Sequence, residues 1–170
     1  RQQILTCLDA ALLASSAENC QPWRFIIIAD PDFRNELNKQ IFSGIYTPTR
    51  WVQNAPLLVA LIADSSFITH QMGARLQHIP FHLNDTAVAG EHFILQAESL
   101  GLVSCWIGWF HVKRAARLLK IPRGCRLCSL IAAGYPHPEY RPKKRRLMDR
   151  KKIVFHNRWG RAYYDSDIEL

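Results

Sequence analysis

The feature that most restricts this chain is a fifteen-residue stretch, Thr86 to Leu100 (TAVAGEHFILQAESL), with Asp85 in front of it and Gly101 behind. Aspartate is a favoured N-cap and glycine a favoured helix stop, so the stretch reads as a helix with marked ends. Its apolar residues occupy most of the circumference, and a helix that is apolar all round has to be buried. The chain has 170 residues, the size of one domain. Burial on every side therefore puts this helix either at the centre of the fold or against a second copy of the chain, which points to a homodimer.

The remaining segments supply what such a helix packs on. Ile4, Leu5, Leu8, Ala11 and Leu12 form the one-sided stripe of an amphipathic helix over Gln2 to Ala14. Ser15 to Pro22 (SSAENCQP) breaks the period and reads as a loop, because Pro22 pushes Gln21 away from helical geometry. Trp23 to Ala29 (WRFIIIA) and Leu57 to Ala63 are short apolar runs with strand character, and Arg126 to Ala133 (RLCSLIAA) is a third. Helices are expected at Phe33 to Ile41 and Val112 to Leu119, and Ser43 to Asn54 shows no clear period. Asp64 to Asn84 is polar and aromatic, and reads as a short helix or cover. The class is α+β, a small sheet surrounded by helices. The expectation is a single domain over residues 1–170 that lacks a natural N-terminal segment.

Charge narrows the partners. The net is +8, yet residues 1–140 carry only +2, residues 141–152 (RPKKRRLMDRKK) carry +7, and residues 153–170 carry −1. A general nucleic-acid binder spreads a basic face over its fold, so the strip reads as a solvated run, a phosphate-holding segment, or a nucleic-acid contact. The longest apolar runs, Phe25 to Ala29 and Pro56 to Ala63, are far shorter than a membrane span requires. Five cysteines without dense spacing favour a reducing compartment, and the cytoplasm is expected.

Most catalytic signatures are missing. Cys125 and Cys128 have no second pair, and on a strand they would face opposite sides, so no metal site is expected. Neither a phosphate loop nor a dinucleotide fingerprint occurs, and there is no nucleophile elbow. Two stretches remain. Ser16, Asn19 and Gln21 bring a hydroxyl and two planar amides into one loop, where they either terminate the first helix or offer a donor and an acceptor to a heterocycle. In Leu100 to Phe110 (LGLVSCWIGWF), Gly108 would let a ligand approach the backbone, while Trp106, Trp109 and Phe110 are equally suited to a core.

Taken together, these residues resemble the FMN-dependent nitroreductase family. SSAENCQPWRF (Ser15 to Phe25) resembles its Pro-Ser-x-x-Asn-x-Gln-Pro-Trp loop, with Ser15 where proline is usual. DTAVAGEHFILQAESLGLVSCWIGWF (Asp85 to Phe110) is similar to its central dimer helix and Gly-Phe segment, with Trp109 where a glycine is common, and PKKRRL (Pro142 to Leu147) resembles its C-terminal Lys-x-Arg-Leu. The resemblance implies a homodimer that binds FMN through Ser16, Asn19 and Gln21. It further implies that the backbone of Gly108 and Trp109 faces flavin N5 and O4, and that Lys144 and Arg146 hold the phosphate. The family's N-terminal Arg-Ser-x-Arg element would lie before Arg1. The implied activity is ping-pong reduction of nitroaromatics, quinones or similar acceptors by NAD(P)H, with no catalytic side chain, no nucleic acid and no membrane. Reductive dehalogenation and flavin fragmentation occur on the same fold, and a nucleic-acid-binding role for the basic strip is the alternative from another class.

Overall fold

The structure, a computed structural model, describes residues 1–66, 78–141, 144–162 and 164. Its contacts divide the chain into two units, Arg1–Pro136 and His137–Leu170.

The first unit is built on a four-stranded antiparallel sheet of β1 (Trp23–Ile28), β2 (Leu57–Asp64), β3 (Val103–Ile107) and β4 (Cys125–Gly134), in the order β1-β2-β4-β3. β2 reads as a continuous apolar run because it is central and covered on both faces: Leu58 to Ala63 are all buried. On one face, α1 (Gln2–Leu12) and α3 (Phe81–Ser99) pack Cys7, Ala11, Phe93 and Ala97 against Trp23, Val59 and Ile131. On the other, α2 (Pro31–Ile41) and α4 (Val112–Leu118) enclose Leu37, Ile41 and Ala115 with Leu58, Ala60, Ile62 and Leu130. Asp30 caps α2 by accepting from the Phe33 N–H at 2.7 Å, one residue before Pro31.

Three expectations need correction. Val103–Ile107 is a strand, hidden in the sequence because only six residues separate the helix stop Gly101 from Gly108 and the exposure of the strand residues is mixed. The aperiodic stretch after α2 winds as a 3₁₀ segment, Gly44–Asn54, around Pro48. Finally, α3 starts at Phe81, so Asp85 stands in its first turns and does not cap it. Among the described residues α3 is buried on one side only. Asp85, Thr86, Ala89, Gly90, Phe93 and Ala97 face inward, while Val88 and Leu95 are exposed, Leu95 by 61%. The expected cover over Asp64 to Asn84 lies mostly in residues 67–77, outside the described residues.

The second unit carries a 3₁₀ turn, Arg150–Lys152, capped by Asp149, and a bridge between Phe155 and Ala162. The Phe155 and Trp159 rings pack 4.7 Å apart. Among the described residues no helix is long and apolar enough to cross a membrane.

Candidate functional site

The loop after α1 is the most unusual backbone in the first unit. Glu18, Asn19 and Gln21 have φ of 52°, 53° and 47°, so three non-glycine residues within four positions are left-handed. Each such residue costs roughly 1–2 kcal/mol, less for asparagine, and a cluster of them marks a place where function holds the chain.

That conformation turns the three expected polar side chains onto one another. Ser16 Oγ accepts from the Gln21 N–H at 3.0 Å, and Gln21 Nε2 donates to Asn19 Oδ1 at 3.1 Å. The second contact fixes how both amides face outward. Asn19 Oδ1 is occupied and its Nδ2 donor is left to present, while Gln21 Nε2 is occupied and its Oε1 acceptor is left. Both residues are exposed, and neither remaining atom has a partner among the described residues. The result is one donor beside one acceptor, which is the complement of a heterocyclic amide edge.

Two groups hold the loop from outside. The Ala17 N–H donates to Asp85 Oδ2 at 3.0 Å, and Asp85 is only 9% exposed. At the far end Arg24 Nη1 donates to the Gln21 carbonyl at 3.0 Å, and its Nη2 pairs with Asp64 Oδ2 at 3.0 Å. Asp64 is held below the usual carboxylate range, first by the Ser66 hydroxyl and also by the Ser66 N–H and Arg24. Sequence reasoning missed both roles. Asp85 looked like a cap because it precedes an apolar run, and Arg24 was one polar residue inside a strand.

Gly108 and Trp109 follow β3. A Cβ built on Gly108 meets nothing within 4 Å, so the backbone there is open to approach. Trp109 is half-exposed and is tied to the 3₁₀ segment: its Nε1 donates to the Ile45 carbonyl at 3.1 Å, and its own carbonyl accepts from Thr49 Oγ1 at 2.7 Å. Tyr46 packs on the indole at 5.2 Å. Phe110, by contrast, is a core residue. Gly108 also lines a cavity of ≈ 370 Å³ with Leu61, Leu83, Trp106, Arg126 and Cys128. Burial pushes the Cys128 thiol up, against smaller lowering effects of the Ala63 backbone and Arg126, so it stands there as a neutral thiol. Cys125 packs on the opposite side of the sheet, and no group of three or more potential metal ligands occurs among the described residues.

The structure thus brings Ser16, Asn19 and Gln21 into one cluster and gives Gly108 an open backbone beside a braced Trp109. Lys144 and Arg146 belong to the second unit, where both are exposed and neither has a carboxylate partner among the described residues.

Comparison with known proteins bears on the family and the fold. The profile of the Nitroreductase family matches residues 1–135. An Archaeoglobus fulgidus protein provisionally named an NADH dehydrogenase/NAD(P)H nitroreductase is 30% identical over 144 residues, covering 81% of this chain and 75% of that one. Among solved structures, a nitroreductase family protein from Clostridium novyi NT superposes with a TM-score of 0.70 at 26% identity, over 96% of this chain and 85% of that one. An FMN-dependent nitroreductase from Clostridium difficile gives 0.65 at 25% identity, over 99% and 83%.

Proposed function

The chain belongs to the nitroreductase family, and from that premise we propose that it is an FMN-dependent oxidoreductase. It takes reducing equivalents from NADH or NADPH and passes them to a small acceptor such as a nitroaromatic or quinone, in two alternating half-reactions. The observation that carries this reading is the Asn19–Gln21 pair, locked by its own hydrogen bond so that one donor and one acceptor point outward. The uncarbonylated edge of a hydrocarbon could use neither, whereas the pyrimidine-like edge of an isoalloxazine uses both.

The residues fit the cofactor in two further respects. At Gly108 the space that a side chain would occupy is open, which suits a planar ring lying against the backbone of Gly108 and Trp109. Lys144 and Arg146 are cations without protein counter-ions among the described residues, suited to the phosphate. Bound there, FMN would supply the hydride chemistry. This chain's own work is then to orient and to polarise. The amide loop sets the ring's orientation, and the donors at Gly108 and Trp109 favour the electron-rich ring over the oxidised one. No side chain has to act as acid, base or nucleophile.

The exposed apolar residues of α3, Val88 and Leu95, suit packing against a second copy, so the working form is a homodimer. Five free thiols suit the cytoplasm.

The test is an absorbance spectrum of protein supplemented with FMN and desalted, followed by anaerobic addition of NADH or NADPH. Flavin bands are expected to stay with the protein and to bleach. Asn19→Ala and Gln21→Ala should each weaken FMN binding roughly fivefold, the equivalent of a hydrogen bond of about 1 kcal/mol. Wild-type occupancy in both variants would overturn the assignment of the loop.

A further inference from the structure

A buried carboxylate that does not cap its own helix needs another use. Asp85 stands in the first turns of α3, is 9% exposed, and aims Oδ2 at the Ala17 N–H, 68 positions away in sequence. Ala17 begins the 3₁₀ turn that leads into the left-handed run of Glu18, Asn19 and Gln21. Arg24 stands at the end of the same run. Its guanidinium spans three acceptors, the Gln21 and Trp23 carbonyls from Nη1 and the Asp64 carboxylate from Nη2, which a single ammonium would not bridge in the same planar fork.

From this geometry we infer that Asp85 and Arg24 are a two-point clamp. They are positioning residues that impose the left-handed conformation of Glu18, Asn19 and Gln21 and so aim the Asn19 donor and the Gln21 acceptor at the cofactor edge. The inference rests on the proposed FMN role of that loop. The clamp explains why the five-residue loop Ala17 to Gln21, with three left-handed residues, keeps one shape. Released from either end, Glu18 and Gln21 would relax toward ordinary right-handed or extended geometry. The Asn19–Gln21 amide contact would then be lost, and each amide would be free to present either of its ends.

Four variants of this chain test this by FMN titration: Asp85→Ala, Asp85→Asn, Gln21→Ala, and the double variant Asp85→Ala/Gln21→Ala. Asp85→Ala should weaken FMN about tenfold, as expected when both amides, worth roughly fivefold each, lose their aim. Asp85→Asn keeps an oxygen for the Ala17 N–H and should recover most of that loss. Because Asp85 acts through both amides, removing it in the Gln21→Ala background should cost clearly less than in the wild type, since only the share carried by Asn19 is left to lose. Equal losses in both backgrounds, or no rescue by asparagine, would overturn the clamp.

A second readout needs no flavin. Amide exchange at Ala17 to Gln21 should be faster in apo Asp85→Ala than in the wild type or Asp85→Asn, and unchanged exchange would overturn the inference. If no protein binds FMN, the functional reading fails while exchange still decides the clamp. Should Asp85→Ala not fold, Arg24→Lys serves in its place. It should raise exchange over the same residues and weaken FMN several-fold, and wild-type behaviour in both would sink the idea.

Discussion

Two glycines show how differently the same residue can be required. A Cβ on Gly90 would lie 2.6 Å from Leu61 Cδ2 and 2.7 Å from Trp106 Cζ3, whereas one on Gly108 would meet nothing within 4 Å. Packing explains the first, and the fold offers no reason for the second. If Gly108 is kept small so that a ring can lie on its backbone, Gly108→Ala should leave thermal stability within the range of about 0.5 kcal/mol common to surface substitutions. Its FMN affinity should nevertheless fall by about tenfold, because a methyl group then stands where the ring approaches. Calorimetry and flavin titration on the same samples check this, and wild-type affinity would remove Gly108 from the site. The amides behave differently again. That Asn19 and Gln21 could serve a heterocycle is readable from residue type, but which atom each presents is not. It depends on left-handed φ values that residue type alone does not dictate for glutamate or glutamine.

On the scale of elements, the close approach of α3 to the sheet is what puts Asp85 within reach of the Ala17 loop. Gly90 sets that approach, with Leu61 on β2 and Trp106 on β3 packed directly onto its Cα. Gly90→Ala should therefore destabilise the protein. Overpacking of this kind costs about 1–3 kcal/mol, and the better helix propensity of alanine returns only up to about 1 kcal/mol. A lower midpoint in denaturant, at unchanged slope, is the expected result, and a stabilised variant would mean that the helix is free to move off the sheet. Elements with a strong helical period or a compact apolar run were legible beforehand: α1, β1, α2 and β2 all fall within two residues of their expected bounds. Those set by tertiary partners were not. β3 needs β4 beside it to be a strand, the first turn of α3 needs no capping side chain to form, and the inward face of α3 could be separated from its exposed face only once α1 and the sheet were in place.

Across the whole molecule, charge and shape divide the labour. The unit that carries the amide loop and Gly108 is nearly neutral, while residues 141–152 hold most of the net +8. A body so weakly charged offers little to distinguish a phosphorylated ligand from the same ring without phosphate, and under the proposed function the cations of the strip are the residues to test for that discrimination. Lys144 and Arg146, as exposed cations, should contribute a term that salt screens over a Debye length of about 10 Å at 0.1 M. The wild type should then bind FMN more tightly than riboflavin, and the ratio should shrink as salt is raised. In the double variant Lys144→Gln/Arg146→Gln the ratio should fall by about tenfold or more, since each cation–phosphate hydrogen bond is worth more than a neutral one. Riboflavin affinity itself should not change, because the ring contacts are untouched. Parallel titrations of the two flavins at low and high salt read all of this. A ratio that survives in the double variant would move the phosphate elsewhere, and an equal loss for both flavins would show that the strip acts on the fold and not on the ligand.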